Sequence, residues 1–319
     1  TRLTKVTGVQ TCALPISKCL ALAMQIPWKP RPAFRRGRAR TLFGFGWKLL
    51  ASGVLDQLSQ SISDLIIGRV FASGELGLVS QGKKYPQQLG TLLDSVIQPV
   101  MLSAVSRVQD DTDRVRRLMR RALKTSTFIV APSMCAFALV APVLVPALLG
   151  PQWTSAVPFL RVYCLAYALL PIHTTNLQVL NGMGRSDIFL GLEVVKVAMG
   201  LFALVVAVCG FRNVYAIVLA AALSNVICTF INAFPNKKVV GYPYLRQLRD
   251  IAPAFGLAAL AAAAAWPLGS CALGAAGTAA LQLLVFSATY LLMAWLLRVE
   301  ELSYLLRAAQ QAMGGREDS

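Results

Sequence analysis

The chain has 319 residues and a mean hydropathy of +0.60; 56% of its residues are hydrophobic and only 14% are charged. Soluble domains carry about 25% charged residues, so this composition excludes a water-soluble globular domain and describes a polytopic membrane protein. The net charge of +17 does not point to nucleic acid, because the basic residues cluster between apolar segments, where they set topology and meet anionic headgroups.

Residues 1–17, TRLTKVTGVQTCALPIS, resemble a translated sequencing adapter and are set aside as non-native. The apolar piece at 19–26 is too short to cross a bilayer. It reads as the tail of a truncated helix, followed by a basic loop that closes a segment spanning 18–40. Eight spans are then predicted, at 42–68, 76–105, 122–150, 157–182, 188–210, 214–234, 251–268 and 275–297. Each is long enough for about 30 Å of hydrocarbon.

Basic residues alternate from loop to loop. Lys29, Arg31, Arg35, Arg36, Arg38 and Arg40 precede the first span, and Arg107, Arg114, Arg116, Arg117, Arg120, Arg121 and Lys124 follow the second. Arg185 follows the fourth span, Lys237, Lys238, Arg246 and Arg249 the sixth, and Arg298, Arg307 and Arg316 the eighth. The intervening loops hold almost no cations. The positive-inside rule puts the basic set in the cytoplasm, and an even span count returns the C-terminus there. Pro86, Pro132, Pro142, Pro146 and Pro171 fall inside spans, where neighbouring helices re-satisfy the backbone around a kink.

The first two spans carry polar residues at bilayer depth. At 100° per residue, Asp56, Gln57, Ser59, Gln60, Ser61, Ser63 and Asp64 share an arc of about 200°, opposite Val54, Leu55, Leu58, Ile62, Leu65 and Ile66. On the second span Ser80, Lys83, Lys84, Gln87, Gln88, Thr91, Asp94, Ser95 and Gln98 lie within about 140°. A charge at mid-bilayer costs about 3 kcal/mol or more unless it faces protein or water. Two such helices in succession predict a wet cavity enclosed by a bundle, and hence a transporter. Structural ion pairing within the bundle is the plainer reading of Asp56, Asp64, Lys83, Lys84 and Asp94. The functional one is a path in which lysines attract an anionic headgroup while carboxylates balance or exchange cations.

Further along, His173, Thr174, Thr175, Asn176 and Gln178 follow Pro171, Glu193 and Lys196 are spaced to pair on one helix face, and Asn225, Thr229 and Asn232 form a helical stripe. The seven cysteines are scattered without ligand spacing and there is one histidine, so neither a metal site nor a cofactor is expected. No nucleophile–base pair or phosphate loop is visible, and the chain is not read as an enzyme.

Four stretches carry a family resemblance: DLIIGRVFASGELGLVS at 64–80, SRVQDD at 106–111, LLGPQWTSAVPFLRVY at 148–163 and LQVLNGMGRSDIFLGLEVVK at 177–196. Through them, residues 28–244 resemble the Wzx-like polysaccharide and lipopolysaccharide biosynthesis flippases of the MOP (MATE-like) superfamily. Leu78 and Val79 depart from the pattern, which usually has aromatic residues there. The resemblance implies an all-α polytopic fold. Residues 41–234 would be the second six-helix lobe of a MOP-type transporter, 235–250 a basic cytoplasmic loop, 251–297 two additional C-terminal helices and 298–319 a cytoplasmic tail, with the first lobe missing.

The same resemblance implies flipping of an undecaprenyl-pyrophosphate-linked oligosaccharide across the bacterial cytoplasmic (inner) membrane. The implied partners are that lipid-linked substrate, the phospholipid bilayer, a polysaccharide polymerase and chain-length proteins. Candidate cavity residues are Asp56, Gln57, Gln60, Asp64, Lys83, Lys84, Gln87, Asp94, Gln98, Asn176 and Lys196; candidate ion-coupling residues are Asp56, Asp64, Asp94 and Glu193. Three alternatives stand beside this reading. A drug/cation antiporter of the same superfamily would have a more acidic cavity. A glycan polymerase or ligase would need a large outer loop, which the chain lacks. A truncated, non-transporting scaffold is the third.

Overall fold

A computed structural model describes residues 36–70, 73–211, 213–270 and 274–314; the predicted adapter segment and the truncated helix before residue 36 lie outside these. Two units are distinguished, Thr1–Gly44 and Phe45–Ser319. The described part of the first is the opening of a helix, and the helical bundle lies in the second.

The described residues form ten α-helices and two short 3-10 turns: α1 (Arg36–Val70), α2 (Ser73–Arg107), α3 (Thr112–Leu149), a turn at Pro151–Ala156, α4 (Val157–Ala168), α5 (Leu170–Gly182), α6 (Ser186–Phe211), α7 (Val214–Val239), α8 (Tyr244–Ala265), a turn at Trp266–Ser270, α9 (Gly274–Leu296) and α10 (Glu300–Gly314). Among the described residues, seven segments are long and apolar enough to cross a membrane: Gly74–Arg107, Thr112–Leu149, Pro151–Gly182, Ser186–Gly210, Val214–Val239, Tyr244–Ser270 and Gly274–Leu296. The chain is an all-α, multi-pass membrane protein. The first predicted span, at 42–68, is helical within α1 but is not among the seven. Its polar arc, with Lys48, Asp56, Gln57 and Gln60, dilutes the apolar stripe below what the other spans reach.

Local chemistry explains the joints. Asp111 caps α3, its carboxylate accepting from the amides of Asp113 and Arg114 at 3.1 and 3.0 Å. The predicted fourth span is broken at Leu169, because Pro171 brings no N–H to the ladder and the chain turns there on a short-range bond from Leu169 to Ala166. Asn213 caps α7 by accepting from Tyr215 at 2.8 Å.

Packing centres on α3. Met101 and Val105 of α2, Val115, Met119 and Leu123 of α3, Ile172 and Val179 of α5, and Tyr242 and Ile251 around the start of α8 form one buried cluster. This cluster gathers the arginine-rich helix ends at one end of the bundle. Alternate small residues on α8, Ala254, Ala258, Ala261 and Ala265, bring it close to α3, and the Tyr290 hydroxyl of α9 donates to the Phe128 carbonyl at 2.9 Å. At the opposite end, Val79, Phe159, Tyr163, Val214 and Val218 pack together. Gly82 lets α2 and α4 touch: a Cβ there would stand 2.8 Å from Phe159 Cβ and 3.1 Å from the Leu160 amide nitrogen.

Candidate functional site

Helices α1, α2, α4, α5, α6 and α7 line a partly open cavity of about 650 Å³. Each contributes one face at helical spacing. Asp56, Ser59, Gln60 and Ser63 come from α1, and Leu170, His173, Thr174 and Leu177 from α5. Ser80, Lys83, Asp94 and Gln98 enter from α2, Tyr163 and Tyr167 from α4, Glu193 and Lys196 from α6, and Ser224 and Asn225 from α7. Toward the end away from the arginines the lining turns apolar, where Leu76, Leu204 and Ile217 close it and Ile66 of α1 packs on them.

The polar groups hold one another in defined pairs. Gln60 Nε2 donates to Asp56 Oδ2 at 2.9 Å. Asp94, buried, accepts from the Thr174 hydroxyl on one oxygen and from the Gln98 amide on the other. Lys196 Nζ lies 2.5 Å from Glu193 Oε1. His173 bridges two residues of α7: Asn232 donates to its Nδ1 at 2.7 Å and its Nε2 donates to Asn225 Oδ1 at 2.9 Å, the arrangement of a neutral imidazole. Among the described residues Lys83 has no carboxylate within ion-pair distance. Among the described residues, the cavity lining holds three carboxylates, Asp56, Asp94 and Glu193, and two lysines, Lys83 and Lys196.

Of the residues singled out from the sequence, Asp56, Gln60, Lys83, Asp94, Gln98, Glu193 and Lys196 meet in this cavity. Gln57 is exposed off the lining, Lys84 points out with its ammonium 5.9 Å from the Tyr85 ring, and Gln87 lies beside the cavity without lining it. The Asp64 side chain is outside the described ones. Asn176 is placed elsewhere, because it belongs to the α5 face of Ile172, Thr175 and Val179 rather than to that of His173 and Leu177. There it sits in a fully buried amide cluster, bonded to Gln247 at 2.8 Å and accepting from Asn236 at 2.8 Å. Tyr163 and Tyr167 carry no sequence signal of their own; they sit in an apolar run, and only the fold shows which way they face.

The basic ends of the helices are partly neutralised. Arg120 makes a two-pronged pair with Asp250 at 2.7 and 2.8 Å, and the Tyr242 hydroxyl also donates to Asp250 at 2.6 Å. Burial, with the Asp250 contact second, raises the Tyr242 phenol above its usual value. The Arg114 amide, donating to Asp111, holds that carboxyl below the usual carboxylate range.

Comparison with known proteins supplies the context. A family model described as "Polysaccharide biosynthesis protein" matches residues 9–158. Lipopolysaccharide biosynthesis protein WzxC of Escherichia coli K12 is 24% identical over 208 residues, covering 65% of this chain and 42% of that protein. An uncharacterized membrane protein in the cps region of Klebsiella pneumoniae is 24% identical over 206 residues, covering 65% and 41%. The amylovoran biosynthesis protein AmsL of Erwinia amylovora is 27% identical over 238 residues, covering 73% and 61%. The chain thus spans about two fifths of the length of the first two relatives. No solved structure matches significantly.

Proposed function

We propose, from the likeness of this chain to the Wzx-like polysaccharide biosynthesis membrane proteins, that it forms part of a transporter. The cargo is an undecaprenyl-pyrophosphate-linked oligosaccharide, crossing the bacterial cytoplasmic membrane. The observation that carries this reading is the lining of the cavity: the amides of Gln60, Gln98, Gln178 and Asn225, the hydroxyls of Ser59, Ser63, Ser80 and Ser224, and two tyrosines. Amides and hydroxyls match sugar hydroxyls donor for acceptor. Lys83, without an acidic partner among the described residues, is the group that receives the anionic head, with Lys196 behind it once Glu193 is neutralised. Asp94, bonded to neutral donors alone, is the coupling carboxylate, and Asp56 is its counterpart on α1. The arginine-rich end faces the cytoplasm, as the loop charges require.

One observation favours a second reading. Three carboxylates against two lysines among the described lining residues is the balance expected of a MATE-like cation antiporter, unless a coupling ion occupies one carboxylate. Replacing Lys83 by Ala at the native locus separates the two. Loss of one charge-assisted contact is worth about 1.5–3 kcal/mol, so surface polysaccharide is expected to fall by about tenfold or more while the lipid-linked precursor accumulates and the protein stays in the membrane. Unchanged polysaccharide with altered susceptibility to cationic drugs would replace the flippase reading by the antiporter.

A further inference from the structure

Arg161 stands apart from the cavity, one turn into α4, at the end of the bundle away from the arginine-rich helix ends. Its Nε donates to the Ala138 carbonyl of α3 at 3.1 Å, and its guanidinium carbon lies 5.0 Å from the centre of the Trp266 ring that follows α8. No other hydrogen bond or ion pair is made by this side chain to the described residues, and none of their carboxylates lies within 4.0 Å of it. A guanidinium carries a full charge at any physiological pH and five donors in a planar fork; here one donor is used. An arginine at membrane depth without an anion is expensive and is ordinarily compensated. The ring beneath it is 60% exposed, as befits a tryptophan at a membrane interface.

We propose that Arg161 and Trp266 form a binding site for the headgroup of a net-anionic phospholipid in the leaflet opposite the arginine-rich end. The two free Nη groups take the phosphodiester oxygens, the indole face holds the guanidinium in plane from below, and the first acyl carbons lie along the seam between α3 and α8. The lipid clamps α4 to the α8–α9 pair where no described carboxylate answers Arg161.

Trp266 itself reports the occupant. The full chain is reconstituted in phosphatidylcholine vesicles containing either brominated phosphatidylglycerol or brominated phosphatidylcholine at equal mole fraction, with a Trp266→Phe variant isolating its signal. The brominated anionic lipid is expected to quench Trp266 at least about twofold more than the zwitterionic one. Arg161→Gln is expected to remove that preference and Arg161→Lys to keep part of it. Equal quenching of the Trp266 signal by both lipids in protein with Arg161 intact overturns the proposal. So does a preference that survives Arg161→Gln in protein of unchanged melting temperature. Adding millimolar inorganic phosphate leaves the preference intact if the ligand is a lipid; its displacement by free phosphate overturns the lipid assignment.

Discussion

Asn176 shows how a residue's neighbours in sequence mislead and its neighbours in space correct. It follows His173 and Thr174 along the chain, yet those line the cavity while Asn176 turns to Gln247, Asn236 and the Ile172 carbonyl, all of them buried. Replacing it by Ala leaves two buried amides short of partners, at about 1–3 kcal/mol for each. The expected outcome is a markedly lower melting temperature in detergent with the cavity residues untouched. Gly82 is the complementary case. Its missing side chain is what admits Phe159, so Gly82→Ala is expected to destabilise by about 1–3 kcal/mol in the same measurement. Asp111 gives a pH effect of known sign. Its carboxyl is held low chiefly by the Arg114 amide, so the cap's contribution is present above the unfolded pKa and disappears as pH falls through the lowered folded one. Hydrogen exchange at Asp113 and Arg114, taken relative to intrinsic rates, should quicken over that acidic window, and Asp111→Ala should show the quick rate throughout.

Helices are the most legible level, and their breaks and partners less so. The 100° spacing puts Asp56, Ser59, Gln60 and Ser63 on one side of α1, and they share the cavity wall. It groups Lys83 and Lys84 as well, although adjacent helical residues diverge by about 100° and only Lys83 turns inward. Arg161 is visible in the sequence as a charge inside the fourth predicted span, but its partners Ala138 and Trp266 come from two other elements and are not. The C-terminal tail likewise hides a helix. Residues Glu300–Gly314 form α10, which docks on α3 through Lys124 Nζ, 2.7 Å from Glu301 and 3.4 Å from Glu300, and through Arg121 stacked 3.8 Å from the Tyr304 ring. Lys124→Ala is expected to loosen this short helix alone. Trypsin cleavage at Arg307 should accelerate while the spans keep their protection; unchanged cleavage would show that the Tyr304 stack suffices.

At the level of the whole molecule, charge is the most legible organiser. Apolar runs and alternating basic loops predict spans whose arginine-rich ends converge, and Met101, Val115, Val179, Tyr242 and Ile251 pack together at that end. What charge does not encode is how far the lining of a cavity is acidic, which depends on which faces meet. Sidedness is directly testable in a variant without native cysteines. Asp110→Cys and Gly241→Cys are expected to resist an impermeant maleimide in intact spheroplasts, whereas Gln152→Cys and Asn213→Cys react; the reverse pattern would invert the assigned orientation. The length of α3 then has a consequence of its own. Its 38 residues measure about 57 Å, against about 30 Å of hydrocarbon, so the rod has a surplus that it takes up by tilting, kinking or extending past the oily layer. The surplus includes the turns around Arg120 and Lys124, where Asp250 of α8 and Glu301 of α10 form their ion pairs with the rod.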